Sequence, residues 1–496
     1  MHPSLAVITD KSLTYQQKVA GLARIGESAV SPLSISPAVQ ACRDAGVICD
    51  LNEGNAPYRP RYVVPDYRRF MEQGSAFLGL EPPTDIWDAT AKLLILYRHV
   101  PSITTFPVYL GDIDALLEPF VRDEAEARRA IGLFLLQIDR TINDSFCHAD
   151  IGPAETRAGR LILELTAEQQ NAVPNLTLKY DGELTPDGFA LLAAKTALAV
   201  AKPSFANHRI FAADFRALGF DDYAVASCYN GLPVGGGSCT LVRMNLARLA
   251  ASADGPEDFL NRLLPDAAAR QFEYMDERVR FLMEESNFFE SSFLATEGLV
   301  RADRFTAMFG LVGLAECVNA LAGGPRFGRD AAADALGLRI IERLHGLAAD
   351  HRTPLLRAAG GRYLLHAQVG IDTDQGVSPG CRIPIGEEPE LSEHILRSAP
   401  FHKYLPSGIG DVFAFEPTAR GNPEHLLDIA VGAMKAGLRY FSAYAADADV
   451  VRITGYLVKR SEIERLNRGE ASLQDTTVLG RNAVNNLGVL DRRLRG

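Results

Sequence analysis

Two residues of this chain are singled out for chemistry by their surroundings. Cys228 follows the short apolar run Tyr223-Ala224-Val225-Ala226-Ser227 and, with Tyr229 and Asn230, opens the glycine-rich stretch Gly231 to Gly237. A strand that hands a thiol to a loop places it where chemistry tends to sit, although burial as a small apolar residue is the commonest fate of a cysteine. Gly455 interrupts Arg452-Ile453-Thr454-Gly455-Tyr456-Leu457-Val458-Lys459, whose β-branched and aromatic residues otherwise suit a buried strand. A glycine there marks a bend, a close backbone approach, or a residue whose Cα hydrogen is itself reactive.

Other candidates are weaker. Cys147-His148 could pair a nucleophile with a base, but neighbours on a strand face opposite ways, so they read as a buried cysteine beside a partly exposed histidine. Glu290 and Glu297 interrupt helical patterns and read as solvated helix-end charges before they read as acid–base groups. Gly235-Gly236-Gly237 lacks the Gly-Lys-Ser/Thr ending of a phosphate loop. The 7 cysteines contain no Cys-x-x-Cys and the 10 histidines no His-Glu-x-x-His, so no metal site is expected.

The elements that must position these residues follow from periodicity and punctuation. Asp85–Tyr97 and Asp123–Ile142 read as amphipathic helices. From residue 170 short strands alternate with helices: Pro174–Tyr180 as a strand, Thr185–Val200 as a helix, then an extended Pro203–Ile210. Helices are expected over Pro256–Leu264, Ala267–Glu285, Arg301–Leu321 and Arg329–Asp350, and a strand over Tyr363–Val369. Asn422-Pro423-Glu424 opens a helix that Gly437 closes, a strand Leu438–Tyr444 follows, and Ser461-Glu462-Ile463-Glu464 fits a capping box beyond the Gly455 segment.

The 496 residues allow a large core, and 51 basic against 62 acidic residues, a net charge of −11 with the basic residues scattered, argue for a small soluble substrate over nucleic acid or an anionic membrane. The N-terminus lacks a secretory pattern and the odd cysteine count suits reduced thiols, so the expected compartment is the cytoplasm. The run Phe305–Gly324, with Glu316 and Asn319 inside it, reads as a buried helix and not a membrane span. One integrated domain is expected: a mainly helical portion over 1–165, a core with the cysteine loop over 166–440, and the glycine loop and tail over 441–496.

Arg452-Ile453-Thr454-Gly455-Tyr456 resembles the Arg-Val-x-Gly-Tyr signature of glycyl radical enzymes. Pro174–Tyr180 is similar to the family's Pro-Asn-Leu-Thr strand, Asp222-Tyr223-Ala224 to the approach to its cysteine, and Pro203–His208 to a Pro-x-Phe-x-Asn segment. Ser227-Cys228-Tyr229-Asn230 and Leu232 to Gly237 resemble the YjjI family of glycyl radical proteins over most of the chain. The resemblance implies an α/β fold, a ten-stranded barrel of two antiparallel five-stranded halves surrounded by helices. It implies a radical stored on Gly455, a transient thiyl on Cys228 that abstracts hydrogen from a small polar metabolite, and substrate contacts from Tyr229, Asn230, Cys239 and Glu297. It also implies a separate radical S-adenosylmethionine activating enzyme and a homodimer; no cofactor is expected in this chain.

The departures bear on substrate. Pyruvate formate-lyase has adjacent cysteines where this chain has Cys228-Tyr229, and the eliminating lyases have a glutamate where this chain has Asn230. Gly310 to Glu316 is similar to anaerobic ribonucleotide reductase, whose four-cysteine zinc site and nucleotide-binding cone have no counterpart in this sequence. Reductase-like and formate-lyase-like activities stand as alternatives, with a radical-incompetent binding or scaffold protein and a cysteine-nucleophile hydrolase as readings of other classes.

Overall fold

The computed structural model describes residues 2–27, 29–51, 56, 58–101, 108–142, 146–324, 326–368 and 376–496. Its strands form two main sheets and two hairpins, with helices packed outside them. The larger sheet has seven strands in the order 494–495, 411–415, 440–445, 204–207, 175–180, 148–151 and 109–112. The first three run parallel to one another, the last four likewise, and the two sets meet antiparallel at Tyr440↔Ala206. The smaller sheet of five is built on the parallel strands 236–245, 305–312 and 364–367, with 48–49 and 62–64 antiparallel along one edge.

The strand Asn175–Tyr180 shows how the sequence sets the inside of the fold. Leu176 and Leu178 pack into the apolar core, while Asn175, Thr177 and Lys179 turn the other way. All three polar residues are nonetheless buried, so each must find a partner inside the protein. Their face meets the two hairpins, Tyr223–Ala226 with Asn230–Pro233 and Val450–Arg452 with Leu457–Lys459.

Several expectations are met and several are corrected. Helices cover Ile86–Tyr97, Glu124–Thr141, Asp187–Val200, Ala331–Asp350 and Pro423–Lys435, the last two capped by Asp330 and Asn422. The helix expected over Arg301–Leu321 is instead a strand, Phe305–Val312, followed by a helix, Leu314–Ala322. Phe305–Val312 lies between two parallel neighbours and is buried on both faces, so its continuous apolar run carries no period that separates strand from helix. The expected strand Tyr363–Val369 forms as Leu364–Ala367, with Val369 outside the described residues.

No capping box forms at Ser461, because its hydroxyl and amide both bond Asp449 at 2.9 Å across the base of the hairpin. The glycine-rich stretch is not a loop: Gly236 and Gly237 begin a strand, and Cβ atoms there would lie 2.1 Å from the Arg304 carbonyl oxygen and 2.0 Å from that of Tyr62. Close strand approach is what those glycines permit.

The backbone ladders recorded among the described residues do not close the two sheets into one barrel. The segment before Asp411 spans part of the gap: Ser407 and Gly408 exchange backbone hydrogen bonds with Leu365 and Ala367, and Gly231 N bonds Ser407 O at 3.0 Å. Residues 1–165 supply the strands 109–112 and 148–151 to the larger sheet. No helix among the described residues is long and apolar enough to cross a membrane.

Candidate active site

The turn that carries Cys228 is tight and strained. Cys228 N bonds Ala226 O at 2.7 Å around Ser227, which sits at φ +65°. A non-glycine residue in that region pays a conformational cost that the surrounding hairpin must over-determine. The return strand starts at Asn230, paired with Ala226, so the thiol projects from the hairpin's tip.

The second hairpin brings Gly455 to that tip. Val451 pairs with Val458 and Arg452 with Leu457, leaving Ile453 to Tyr456 as the turn. A Cβ added to Gly455 would stand 1.9 Å from Cys228 Cβ and 2.9 Å from its Sγ. Only the absence of a side chain lets the two backbones approach this closely.

Buried polar groups hold the glycine turn in place. Asn175 Nδ2 donates to Gly455 O at 3.1 Å. Arg452, fully buried, donates from Nη2 to Asn175 Oδ1 at 3.0 Å and from Nε to Ala201 O at 2.8 Å. Arg492, near the C-terminus, donates to Arg452 O at 2.7 Å and also to Ile453 O. The arginine and glycine of the turn are therefore linked through one asparagine on the central strand.

Electrostatics keep the thiol neutral. Burial pushes Cys228 up to about 12, opposed by a backbone hydrogen bond at Tyr229 and by the positive charges of Arg382, Arg452 and Arg61. Its Sγ donates to Asn230 Oδ1 at 3.6 Å, and no histidine among the described residues is bonded to it. A thiol of this kind keeps its hydrogen and is a poor nucleophile, which disfavours hydrolysis by a thiolate.

Around the turn, Tyr229 donates its hydroxyl to Ala367 O at 2.7 Å, and the Arg382 guanidinium lies 5.6 Å from its ring centre. Asn230 Nδ2 and His366 Nε2 are buried without a hydrogen-bond partner among the described residues, and the His366 ring lies 5.8 Å from that of Tyr229. Burial keeps His366 neutral, down at about 3, with Nδ1 against Ser407 O at 3.1 Å. Asn230 thus offers a donor and His366 a lone pair to a polar ligand.

The structure unites Cys228, Tyr229, Asn230 and Gly455. It does not bring Glu297 to them: that carboxylate accepts from Ser75 Oγ at 2.7 Å and Phe77 N at 2.6 Å. Cys239 is buried in the strand 236–245, its carbonyl accepting from Arg61 N at 3.2 Å. His148, expected to be partly exposed, is fully buried, with Nε2 2.7 Å from Thr177 Oγ1.

Sequence reasoning weighed His148 only as a base for Cys147, and missed Thr177, Tyr440, His366 and Arg382 as neighbours of the site. For Thr177 a signal was available, the polar alternation Asn175, Thr177, Lys179 in a strand otherwise apolar. Nothing comparable marks the others, which arrive from separate strands and loops.

A family model described as "Glycyl radical enzyme YjjI-like" matches residues 13–495. An uncharacterized protein of Haemophilus influenzae is 45% identical, covering 99% of this chain and 97% of its own length. The uncharacterized protein YjjI of Escherichia coli K12 is 43% identical, covering 99% and 95%. Among solved structures, an anaerobic ribonucleotide reductase superimposes with a TM-score of 0.74 over 92% of this chain and 86% of its own, at 12% identity, which is a likeness of fold.

Proposed function

Since the chain belongs to the YjjI-like glycyl radical enzyme family, we propose that it stores a radical on Gly455 and uses Cys228 to abstract hydrogen from a small polar metabolite. The observation that carries this reading is the contact between the two residues, with Cys228 Sγ 2.9 Å from the position of a Cβ on Gly455. Hydrogen-atom transfer needs a neutral S–H in reach of the radical carbon, and burial of Cys228 keeps the thiol in that form.

Each step balances. A separate radical S-adenosylmethionine activase removes one hydrogen atom from Gly455 Cα. When substrate binds, the Cys228 S–H bond breaks and a Gly455 Cα–H bond forms, leaving a thiyl. The thiyl takes hydrogen from a substrate C–H, and the product radical later recovers it. Burial of the pair supports exclusion of oxygen and solvent from these intermediates.

Tyr229 and Asn230 adjoin the thiol and are the substrate contacts; Glu297 is held elsewhere by Ser75 and Phe77, and Cys239 lies within the strand 236–245. The two sheets, of seven and five strands, are read as parts of one barrel joined at Ser407–Gly408, a reading supported by the backbone hydrogen bonds there, while the count of ten barrel strands is carried over from the resemblance. The odd count of 7 cysteines supports a reducing cytoplasm, and the homodimer is carried over from the resemblance alone. Whether the reaction is a lyase or an oxidoreductase step rests on the substrate.

The test is electron paramagnetic resonance after anaerobic incubation with the cognate activase and S-adenosylmethionine. A doublet from the Gly455 Cα hydrogen is expected, and it disappears in Gly455→Ala. Absence of any radical under conditions that activate a control enzyme leaves the binding or scaffold reading in its place.

A further inference from the structure

The polar face of the strand Asn175–Tyr180 links the site to the outside. Asn175 touches Gly455, Thr177 lies in the middle, and Lys179, about 13 Å from Asn175 at 3.3 Å per residue, reaches a different set of groups. Lys179 Nζ lies 2.6 Å from Asp112 Oδ1, 3.6 Å from Asp150 Oδ2 and 2.8 Å from Tyr223 O. Asp112, with Tyr109 and Asp222, lines an open cavity of about 510 Å³.

From Asp150 inward the groups continue. Asp150 Oδ2 accepts from Tyr109 OH at 3.0 Å and from Val225 N, on the cysteine hairpin, at 2.8 Å. Its Oδ1 has no hydrogen-bond partner among the described residues and lies 3.9 Å from His148 Nε2. His148 Nε2 is 2.7 Å from Thr177 Oγ1, which is 2.9 Å from Tyr440 OH. Tyr440 belongs to the buried cluster that holds Cys228 and Tyr229, its ring 5.8 Å from that of Tyr229.

We propose that His148, Thr177 and Tyr440 form a proton relay that connects the cavity at Asp112, through Asp150, to the reacting centre at Cys228. The inference rests on the radical reading above and supplies what that reading lacks. Asn230 occupies the position where a carboxylate would exchange protons, and an amide cannot do so at neutral pH.

The charge balance favours a stored proton on Asp150. One ammonium stands between a fully buried carboxyl, Asp150, and a partly buried one, Asp112; desolvation pushes both up, while Asp112 and Asp150 together outweigh the burial of Lys179 and hold it protonated. Asp150 is fully buried, whereas the Asp112 side chain keeps 19% of its exposure, so the proton resides on Asp150. Burial holds His148 neutral, down at about 3.

The transfer moves one proton and no electrons. Asp150 gives its Oδ1 proton to His148 Nε2 across the 3.9 Å separation after a small side-chain rotation, forming a transient imidazolium. His148 Nε2 passes that proton to Thr177 Oγ1 as Thr177 gives its own to Tyr440 and Tyr440 gives its own to the acceptor at the site. Water in the cavity restores the proton to Asp150 through Asp112 and Lys179. Every group ends as it began.

The experiment needs no substrate. Substrate binding commits the transfer, but the contact between Cys228 and Gly455 also permits a minor reversible one in the activated protein without substrate, so a deuteron that reaches the thiol passes to the glycine Cα and transfer into D2O collapses the doublet to a singlet. Cys228→Ala, which has no S–H, keeps the doublet. Thr177→Val, which keeps the shape and removes the hydroxyl, is expected to slow the collapse by roughly 10-fold or more with the doublet amplitude in H2O unchanged, and Thr177→Ser restores the rate. Tyr440→Phe is expected to slow it likewise, and carries the test if Thr177→Val does not fold. Collapse at the wild-type rate in the folded variants overturns the relay while leaving the radical reading intact. A protein with no doublet in any form overturns both.

Discussion

At Gly455 the space for a side chain is already taken by the Cβ and Sγ of Cys228. Gly455→Ala is therefore a packing change as well as a chemical one, expected to destabilise by about 1–3 kcal/mol in chemical denaturation. Cys228→Ala keeps the offending Cβ and does not rescue it, whereas Cys228→Gly does. Cys228 itself makes a pH prediction. Its folded pKa of about 12 lies above the unfolded value, so the thiol's contribution to stability is complete below about pH 8.5 and is lost as pH rises toward 12. Compared with Cys228→Ala, the wild type should lose up to about 4 kcal/mol more between those limits, read from denaturation at a series of pH values. A pH-independent difference sinks the claim that the thiol is held neutral.

The glycine turn depends on its neighbours as an element. Arg452 spans Ala201 O and Asn175 Oδ1 with two nitrogens of one planar group, and Asn175 passes that support to Gly455 O. A lysine ammonium cannot reach both acceptors at that geometry. Arg452→Lys is expected to destabilise by about 2–4 kcal/mol, and on activation to give less radical per mole of protein. Arg492 clasps the same turn from the C-terminal segment through Arg452 O and Ile453 O. Removing it in Arg492→Ala should raise amide exchange across 450–459 while leaving the sheet strands protected.

In the whole molecule Cys228 and Gly455 are enclosed, and under the proposed function enclosure sets a requirement on activation. A second protein cannot reach the Cα of a buried glycine, so under the proposed function the hairpin 450–459 must leave its seat while the radical is installed. Hydrogen exchange measured by mass spectrometry should show 450–459 deprotected when the activase is added without S-adenosylmethionine, with 175–180 unchanged. Unchanged protection of the hairpin in a complex shown to form contradicts that route. In Arg492→Ala the released hairpin should accept the radical faster and lose it to oxygen sooner.

Local chemistry was legible in the sequence wherever it is written in consecutive residues. The glycine in Arg452 to Lys459, the cysteine after an apolar run, and the cap at Asn422 are of that kind. The strand Phe305–Val312 was not legible, because a segment buried on both faces has no period to read. Nor was the burial of His148, since whether a histidine faces solvent depends on which strand lies beside it, here 175–180 with Thr177 in bonding range. The sequence by itself determined the family and pointed to Cys228 and Gly455, the two residues proposed to do the chemistry. Only the tertiary structure decided that they touch, and that His148, Thr177 and Tyr440 line up behind them. Contacts between residues 227 positions apart in the chain, as Cys228 and Gly455 are, are fixed by the buried side-chain hydrogen bonds that seat two hairpins on one polar sheet face.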